Sequence, residues 1–457
     1  MDPARIASDL FASDTRSFAV RLWDGTVLPP ARDEGVRGTV VLRTRGALDA
    51  FVPPAADRRL AEAVLDGEID LQGDAIALIE AAARWSGPRP SLSLALPALS
   101  AWIRRARRRA RTAPLEARMR GRRHSVGRDR DAVRHHYDVS DDFYRLFLDE
   151  EMVYSCAYFP AGGERLEDAQ RAKLDLICRK LGLSRGERFL DVGCGWGALV
   201  RHAGARYGAR ALGITVSANQ LAAARERLAR VTGQAHVSVR EDDYRTLRAE
   251  AQFDKIASVG MMEHVGRARL DAYFAAIHRL LRPGGLFLNH AIADVAGRQT
   301  LPWAGQRGGG FIWRYVFPDG ELVPIAEVVG AAERAGFEVR DLECLREHYA
   351  ETLAAWLSRL EARFAEAVAI AGERRARLYR LYLAASAVGF RLGRTNVYQL
   401  LLLKPTASGR AEGLPRSRAR WYADAAAPVW TEPDAVEAPS AARGADRDAV
   451  PEPPARR

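Results

Sequence analysis

The chain has 457 residues, of which 48% are hydrophobic and 28% are charged, so a sizeable core can be buried and disorder throughout is excluded. Four cysteines exclude a disulfide scaffold, and no apolar run of about 18 residues would span a membrane. The net charge of +11 favours an anionic partner, such as nucleic acid, an anionic membrane surface or an acidic ligand.

Residues 1–85 are predicted to form a small α+β unit. Segments 18–23 and 38–43 have strand-like composition, and segments 58–66 and 74–85 carry apolar residues at helical spacing. No cluster of histidine, cysteine or carboxylate residues marks a chemical site here. We therefore expect an accessory domain that binds lipid or a membrane.

Residues 86–124 are predicted to be a connector rich in proline and arginine. An apolar segment that includes Trp102 precedes ten arginines between Arg104 and Arg123. Such a run suits a solvated linker, a nucleic-acid contact or an anchor on an anionic membrane. It almost lacks aromatic residues that stack on bases, which argues against nucleic acid. The apolar segment beside it favours a membrane interface.

Residues 125–404 alternate strand and helix patterns, which predicts an α/β domain. Residues 405–457 are rich in alanine, proline, arginine and acidic residues with little periodicity, and we predict a disordered tail. The four cysteines show no zinc spacing, so no metal site is expected.

The strongest local signal lies in the α/β domain, where an apolar strand ends at Asp191 and Gly193, Gly195 and Gly197 follow. Glycines at a strand-to-helix turn let the backbone approach a ligand closely. By itself this loop is compatible with a methyl-donor site and with a nicotinamide or flavin site.

Three further features favour the methyl donor. The acid precedes the glycines, as in the class I S-adenosylmethionine-dependent methyltransferases that the loop resembles. The strand over residues 211–215 lacks the acid that grips an NAD ribose, and polar residues stand there instead, namely Thr215, Ser217 and Gln220. Strand patterns at 253–259 and 281–288 continue the series. The predicted fold class is therefore α/β, a Rossmann-like class I methyltransferase domain with a small N-terminal α+β domain.

A more specific resemblance covers residues 124–404. Its motifs, in chain order, are His136-Tyr-Asp-Val-Ser140, Tyr154-Ser-Cys-Ala-Tyr-Phe159, Gln170-x-x-Lys173, Leu190-Asp-Val-Gly-Cys-Gly-Trp-Gly197, Gly260-Met-Met-Glu-His-Val265, Asn289-His-Ala-Ile292, Tyr315-Val-Phe-Pro318 and His348-Tyr-Ala-Glu-Thr-Leu353. With these motifs the chain resembles the cyclopropane-fatty-acyl-phospholipid synthase family, which includes the mycolic acid cyclopropane synthases. Segments 60–70 and 73–74 are similar to the accessory domain of the members that act on phospholipids.

The resemblance implies methyl transfer from S-adenosylmethionine to the cis double bond of an unsaturated acyl chain in a membrane phospholipid, with closure of a cyclopropane ring. Such chemistry passes through a carbocation, so the site must exclude water and hold a base near the new methyl group. In the family this base is a bound bicarbonate. By motif match its ligands are Cys156 and Ile292 through the backbone and Glu263, His290 and Tyr349 through side chains.

Aromatic rings near the acyl tunnel would stabilise the cation. The alternation of Trp313, Tyr315 and Phe317 suits either such a tunnel or packing on a sheet.

The resemblance also implies the contacts to S-adenosylmethionine. Tyr154 and Ser155 are expected at its methionine end, and beneath that end lies the glycine loop, with Asp191, Gly193, Gly195, Trp196 and Gly197. Thr215, Ser217 and Gln220 are expected to face the ribose and adenine, and Asp243 to lie near the adenine edge. Tyr137 and Ser140 are expected to close over the cofactor.

Other functions stay open. A fatty-acyl C-methyltransferase that gives a methyl or methylene branch passes through the same cation but loses a different proton. A small-molecule N-methyltransferase would need no membrane domain, and a non-catalytic lipid- or nucleic-acid-binding protein would need no anion site. The expected location is cytoplasmic, since no secretory signal is evident, and peripheral on the inner face of an anionic phospholipid membrane, without nucleic acid. A homodimer is compatible with the resemblance.

Overall fold

The computed structural model describes most of the two predicted domains. The described residues are 3–12, 14–32, 34–35, 38–51, 56–85, 115, 119, 121–137, 140–229, 236–248, 250, 252–295, 311–409 and 414–422. Most of the arginine-rich connector, and the tail beyond residue 422, lie outside these ranges.

The N-terminal unit contains a four-stranded sheet of its own. Its strands are β1 (Ala19–Arg21), β2 (Val27–Leu28), β3 (Gly38–Leu42) and β4 (Ile69–Gly73), in the order β2-β1-β3-β4. Its helices are Pro3–Phe11, Ala56–Leu65 and Ala75–Arg84, with a 3-10 segment at Arg45–Phe51. Asp74 begins the last of these helices, because its side chain accepts a hydrogen bond from the Ala77 N–H at 3.0 Å. The unit is therefore α+β, as predicted.

The second sheet forms the centre of the larger domain. Its strands are β5 (Arg188–Val192), β6 (Arg210–Thr215), β7 (Val237–Glu241), β8 (Phe253–Val259), β9 (Leu281–Asp294), β10 (Val323–Pro324), β11 (Glu338–Cys344) and β12 (Thr395–Leu403). The order is β7-β6-β5-β8-β9-β12-β11, with β10 beside the end of β9. Strands β5 to β9 pair in parallel, and β12 is antiparallel to both of its neighbours. The order reverses at β5, so a ligand is expected beyond the carboxyl end of that strand.

Helices cover both faces of this sheet. They are Val126–Tyr137, Asp141–Tyr144, Leu166–Lys180, Ala198–Tyr207, Ala218–Ala229, Leu270–Leu280, Phe311–Tyr315, Ile325–Arg334, Arg346–Ala362, Phe364–Ala371 and Glu373–Arg391, with 3-10 segments at Met262–His264 and Arg267–Arg269. Within the described ranges, none of the helices is both long and apolar enough to cross a bilayer.

The N-terminal unit packs on helix Glu373–Arg391 of the larger domain. Apolar side chains of the two units share one buried cluster. Asp70 forms ion pairs with Arg377 at 3.4 Å and with Arg380 at 3.8 Å, and Arg380 also donates to the Leu71 carbonyl oxygen at 2.9 Å. The hydroxyl of Tyr315 donates to Glu62 at 3.1 Å. The junction therefore combines apolar burial with charged hydrogen bonds.

The described part of the C-terminal tail departs from the predicted disorder. A short helix, Ala419–Tyr422, follows residue 414, and Trp421 is buried in the core cluster of the larger domain. The Trp421 ring lies 5.9 Å from the Lys180 ammonium, and Arg418 forms an ion pair with Asp341 at 2.6 Å. The periodicity of the tail did not indicate this contact, because a single aromatic anchor produces no repeat.

Candidate functional site

The glycine loop connects β5 to helix Ala198–Tyr207. Gly193, Gly195 and Gly197 have φ angles of +82°, +53° and +84°, which side chains with a Cβ rarely adopt. The N–H groups of Gly193 and Cys194 both donate to the Ile214 carbonyl oxygen at 3.0 Å, which fixes the loop against β6. A Cβ on Gly195 would meet no atom within 4 Å, so the loop leaves open space beside it.

A cavity opens beside this loop at the carboxyl ends of the parallel strands. Nine of the predicted cofactor residues line it, namely Tyr154, Ser155, Asp191, Gly193, Gly195, Trp196, Thr215, Gln220 and Asp243. Three others do not. Gly197 packs against Ala224, Ser217 accepts a hydrogen bond from the Gln220 N–H, and Ser140 is exposed at the start of helix Asp141–Tyr144. The side chain of Tyr137 lies outside the described residues.

The end of this cavity beside Ser155 contains a buried acid and a buried amine. Burial raises the pKa of Asp191 to about 7, against the opposing effect of Lys173, and burial lowers the pKa of Lys173 to about 8. The Lys173 ammonium donates to the Ser155 hydroxyl at 2.7 Å, and Gln170 Nε2 donates to the Ser155 carbonyl oxygen at 2.9 Å. Sequence reasoning gave Gln170 and Lys173 no role, although both stand in a quoted motif.

At the opposite end, polar groups hold one another in place. Thr215 donates from its hydroxyl to Gln220 Oε1 at 3.0 Å and accepts from the Ser217 N–H at 3.2 Å. The carboxylate of Asp243 accepts from Arg245 Nε at 2.9 Å and Nη2 at 2.6 Å. The predicted contact of Asp243 with an adenine edge would therefore use lone pairs that Arg245 leaves open.

A second cavity adjoins the first, and four residues line both: Tyr154, Ser155, Gly260 and His264. The described lining of the second cavity is mainly apolar and aromatic, and includes Ile312, Trp313, Phe317, Leu322, Leu353, Tyr382, Ala385, Phe390 and Val397. Trp313 lies on helix Phe311–Tyr315, so the alternation at 313–317 is not a strand. Trp313 and Phe317 line this cavity, whereas Tyr315 is not part of its described lining and donates to Glu62 of the N-terminal unit. We name this space the acyl cavity.

All five predicted anion ligands line the acyl cavity, namely Cys156, Glu263, His290, Ile292 and Tyr349. Glu263 Oε1 accepts the Ile292 N–H at 2.7 Å, while Glu263 Oε2 is buried and has no hydrogen-bond partner among the described residues. Burial raises the pKa of Glu263 to about 7. The Ile292 N–H is therefore used by Glu263, and only the Glu263 oxygen that faces away from it remains for a ligand.

His290 presents a second unsatisfied group. Burial lowers the pKa of His290 well below its usual value, so the ring is neutral. Gln399 Nε2 lies 3.3 Å from Nδ1 of His290, and where this amide nitrogen is the donor the ring proton is on Nε2. Nε2 is buried and, like Glu263 Oε2, has no partner in the described part of the chain. A neutral ring nitrogen and a carboxyl group that is half protonated near neutrality are two groups to which a small anion can bind.

The two remaining predicted ligands differ in character. The Cys156 thiol is fully buried, lies 3.2 Å from the Ala157 carbonyl oxygen, and has a pKa raised by burial, so it stays a neutral thiol. The ring of Tyr349 packs against Phe390 with centroids 4.6 Å apart. Both residues line the acyl cavity together with Glu263 and His290.

The comparisons with known proteins agree with this geometry. Residues 124–400 match the family model described as mycolic acid cyclopropane synthetase. A probable fatty acid methyltransferase of Pseudomonas putida is 44% identical over 66% of this chain and 76% of its own length. The cyclopropane-fatty-acyl-phospholipid synthase of Escherichia coli is 37% identical over 60% of this chain and 68% of its own length.

A solved structure gives the same result. The mycolic acid cyclopropane synthase CmaA1, in complex with S-adenosylhomocysteine and CTAB, superposes with a TM-score of 0.56 at 36% identity, over 60% of this chain and 97% of that chain. The predicted family and the Rossmann-like methyltransferase fold are therefore confirmed. This chain belongs to the mycolic acid cyclopropane synthetase family, S-adenosylmethionine-dependent methyltransferases that modify lipid acyl chains.

Proposed function

We propose that the protein methylates the cis double bond of an unsaturated acyl chain in a membrane phospholipid and that the product is a cyclopropane ring. The observation that carries the proposal is the pair of adjoining cavities, one beside the glycine loop and one apolar, which share Tyr154, Ser155, Gly260 and His264. A methyl donor in the first cavity and an alkene in the second would meet at this shared wall.

The cofactor cavity has the groups that a sulfonium donor with an amino-acid tail requires. When bound, S-adenosylmethionine supplies an electrophilic methyl group. Lys173 and Gln170 hold Ser155 at the shared wall, so the boundary between the cavities is rigid. Asp191 stands at the end of β5, and the open side of Gly195 admits a ligand close to the backbone.

The acyl cavity suits an alkene that becomes a cation. In the proposed reaction the bond between the sulfonium sulfur and the methyl group breaks, the alkene electrons form the first carbon–carbon bond, and positive charge is left on the chain. Loss of one proton from the new methyl group to a base then supplies the electron pair for the second carbon–carbon bond, which closes the ring. Aromatic faces stabilise such charge, and Tyr154 packs at 5.1 Å from Trp356 beside the shared wall. The apolar lining excludes water, which would otherwise trap the cation as an alcohol.

The unsatisfied polar atoms support a bound anion as base. Glu263 Oε2 and His290 Nε2 are buried without partners in the described residues. A bicarbonate held there would supply a base within the apolar cavity. Because the pKa of Glu263 is raised to about 7, its protonated form is accessible near neutral pH and can donate to an anion instead of repelling it.

Membrane docking is proposed from charge placement. The arginines between 104 and 123 lie mostly outside the described residues. Replacing arginines in 104–111 by glutamate should lower the rate on anionic vesicles and leave cofactor binding intact. The matched control replaces the exposed arginines Arg334 and Arg340 by glutamate. Equal rates for the two variants would contradict the docking role.

A second candidate is fatty-acyl C-methylation, which gives a methyl- or methylene-branched chain. It is favoured by the name of the Pseudomonas putida relative, a probable fatty acid methyltransferase. Both products arise from the same cation, and the carbon that loses the proton determines which product forms.

The test is incubation with methyl-labelled S-adenosylmethionine and vesicles of a cis-monounsaturated phospholipid, followed by mass spectrometry that resolves a ring from a branch of equal mass. A labelled ring supports cyclopropanation, and a labelled branch supports the second candidate. Label in neither form, with the cofactor still bound, would overturn both proposals.

A further inference from the structure

The described lining of the acyl cavity contains one permanent charge, whose role the chemistry above does not use. Among the described residues that line it, Arg394 is the one arginine or lysine and Glu263 is the one carboxylate. The two groups lie apart along the cavity. Glu263 bonds to Ile292, and Ile292 is the register partner of Val397 on β12, three residues after Arg394. Three residues of backbone span at most ~10 Å, so this is the upper limit of the separation between the Cα atoms of Arg394 and Val397.

The backbone of Arg394 is fixed by the turn that ends helix Glu373–Arg391. Gly393 adopts a φ of +61°, its N–H donates to the Phe390 carbonyl oxygen at 3.0 Å, and the Arg394 N–H donates to the Gly389 carbonyl oxygen at 2.9 Å. This pair of hydrogen bonds is a Schellman motif. The helix supplies Tyr382 and Phe390 to the cavity wall, so the same rigid element presents the apolar wall and the guanidinium.

The guanidinium of Arg394 forms no hydrogen bond or ion pair with any residue that the structure describes. Asp294, the register partner of the adjacent Thr395, forms no ion pair with it. Arg377 and Arg380 on the same helix are both paired with Asp70. Partial burial lowers the pKa of Arg394, yet an arginine stays charged at neutral pH. A partly desolvated cation in an apolar wall is stabilised when an anion supplies the missing hydrogen bonds.

A cation just beyond a helix C-terminus also interacts favourably with the helix dipole. That interaction requires a charge near Phe390, but it does not require a side chain that lines the cavity. The absence of a carboxylate partner within the described part of the chain and the position on the wall therefore need a separate explanation.

We propose that Arg394 binds the anionic group at the polar end of the lipid substrate, while the acyl chain extends from it toward Glu263 and His290. This inference rests on the proposed function, because it assumes an acyl substrate in this cavity. The chemistry is a pair of anionic oxygens, which a guanidinium grips with two parallel hydrogen bonds. A phosphate diester of a phospholipid and the carboxylate of a free fatty acid both provide it.

The experiment compares Arg394→Gln and Arg394→Lys with wild type, and uses Arg340→Gln as the matched control because Arg340 is exposed and distant from the cavity lining. Initial rates are measured with vesicles of a cis-monounsaturated phosphatidylglycerol and with the free cis-unsaturated fatty acid in non-ionic micelles. For Arg394→Gln we expect KM to rise on the order of tenfold for the lipid whose anion is bound, with a smaller change in kcat. Arg394→Lys should recover part of the loss, and Arg340→Gln should change neither constant.

The two lipids distinguish the sources of the anion. A KM effect confined to phosphatidylglycerol assigns the phosphate, and one confined to the fatty acid assigns the carboxylate. Unchanged KM values for both lipids, or an equal effect of Arg340→Gln, would overturn the proposal. Cofactor binding measured by equilibrium dialysis confirms that each variant is folded.

A binding measurement separates this proposal from the proposed function. Short-chain saturated phosphatidylglycerol and a saturated fatty acid bind without reacting, and their affinities are measured by titration calorimetry. If lipid binds Arg394→Gln more weakly than wild type, but wild type forms no acyl product, the subsite is supported and the proposed reaction is overturned. Normal product formation with unchanged binding would support the reaction and overturn the subsite.

Discussion

Replacing Glu263 by glutamine tests the electrostatics of the anion position without any ligand. Burial raises the pKa of this carboxyl from 4.5 to about 7. Below pH ~4.5 Glu263 is protonated in both the folded and the unfolded chain, so it does not lower the free energy of unfolding. As pH rises, Glu263 ionises first in the unfolded chain, and the free energy of unfolding falls until the carboxyl also ionises in the folded chain above pH ~7.

The expected size follows from the two pKa values. Between about pH 5.5 and about pH 8 the cost of burying Glu263 rises from ~1 to ~3 kcal/mol, a change of ~2 kcal/mol. Glutamine keeps the hydrogen bond with the Ile292 N–H, because its side-chain oxygen can accept it. The variant therefore lacks this pH-dependent cost, and its stability relative to wild type should improve by ~2 kcal/mol over that range.

The assay is thermal unfolding of both proteins at the two pH values, in the absence of cofactor and bicarbonate. For a domain of ~280 residues, the relative midpoint should shift by ~3 °C in favour of the variant. Glu338→Gln serves as the control, because Glu338 lies at the surface in an ion pair with Arg340. Parallel pH dependences for wild type and Glu263→Gln would refute the reasoning, since they would show that Glu263 titrates as an ordinary exposed acid.

Three further predictions follow from other parts of the structure. Gly195→Ala should weaken S-adenosylmethionine binding in equilibrium dialysis and lower stability on the order of 1 kcal/mol. Gly182→Ala is the control, because Gly182 has a similar φ of +57° and also faces open space; it should lower stability by about the same amount and leave cofactor affinity unchanged. Burial tends to raise the pKa of Asp70, but the hydrogen bond from Arg43 and the charges of Arg377 and Arg380 lower it more, so the net shift is downward. Asp70→Asn should therefore loosen the junction, lower stability by ~1–3 kcal/mol in denaturant titration and increase proteolysis near the junction, and wild type should lose the same contribution as pH falls below ~4. Trp421→Ala should lower the unfolding midpoint, by up to ~3–5 kcal/mol of stability, and an unchanged midpoint would show that the terminal segment is not docked in solution.

Part of the predicted site depends on a local pattern. An apolar strand followed by an acid and three glycines predicts a turn by itself, and Asp191, Gly193 and Gly195 line the cavity beside that turn. Glu263 and His290 are 27 residues apart, and their meeting beside the acyl cavity follows from the parallel pairing of β8 with β9. The motifs identified these residues through family resemblance rather than through spacing.

Other features depend on contacts between distant segments that no local pattern records. Gln399 orients His290 only because β12 pairs with β9, in a register that the sequence does not state. Arg245 occupies the carboxylate of Asp243, although both residues look like ordinary loop charges. Strand β2 has two residues, which are too few to show alternation.

Helix Glu373–Arg391 has a consequence for engineering the specificity of this enzyme. One side of the helix is paired with Asp70 of the N-terminal unit, and the other supplies Tyr382 and Phe390 to the acyl cavity. A chimera that exchanges only residues 1–85 with a relative would set a foreign surface against this helix and disturb the cavity wall. Exchanges that carry residues 373–394 together with the N-terminal unit should preserve both contacts, so these two distant stretches of sequence behave as one transferable module.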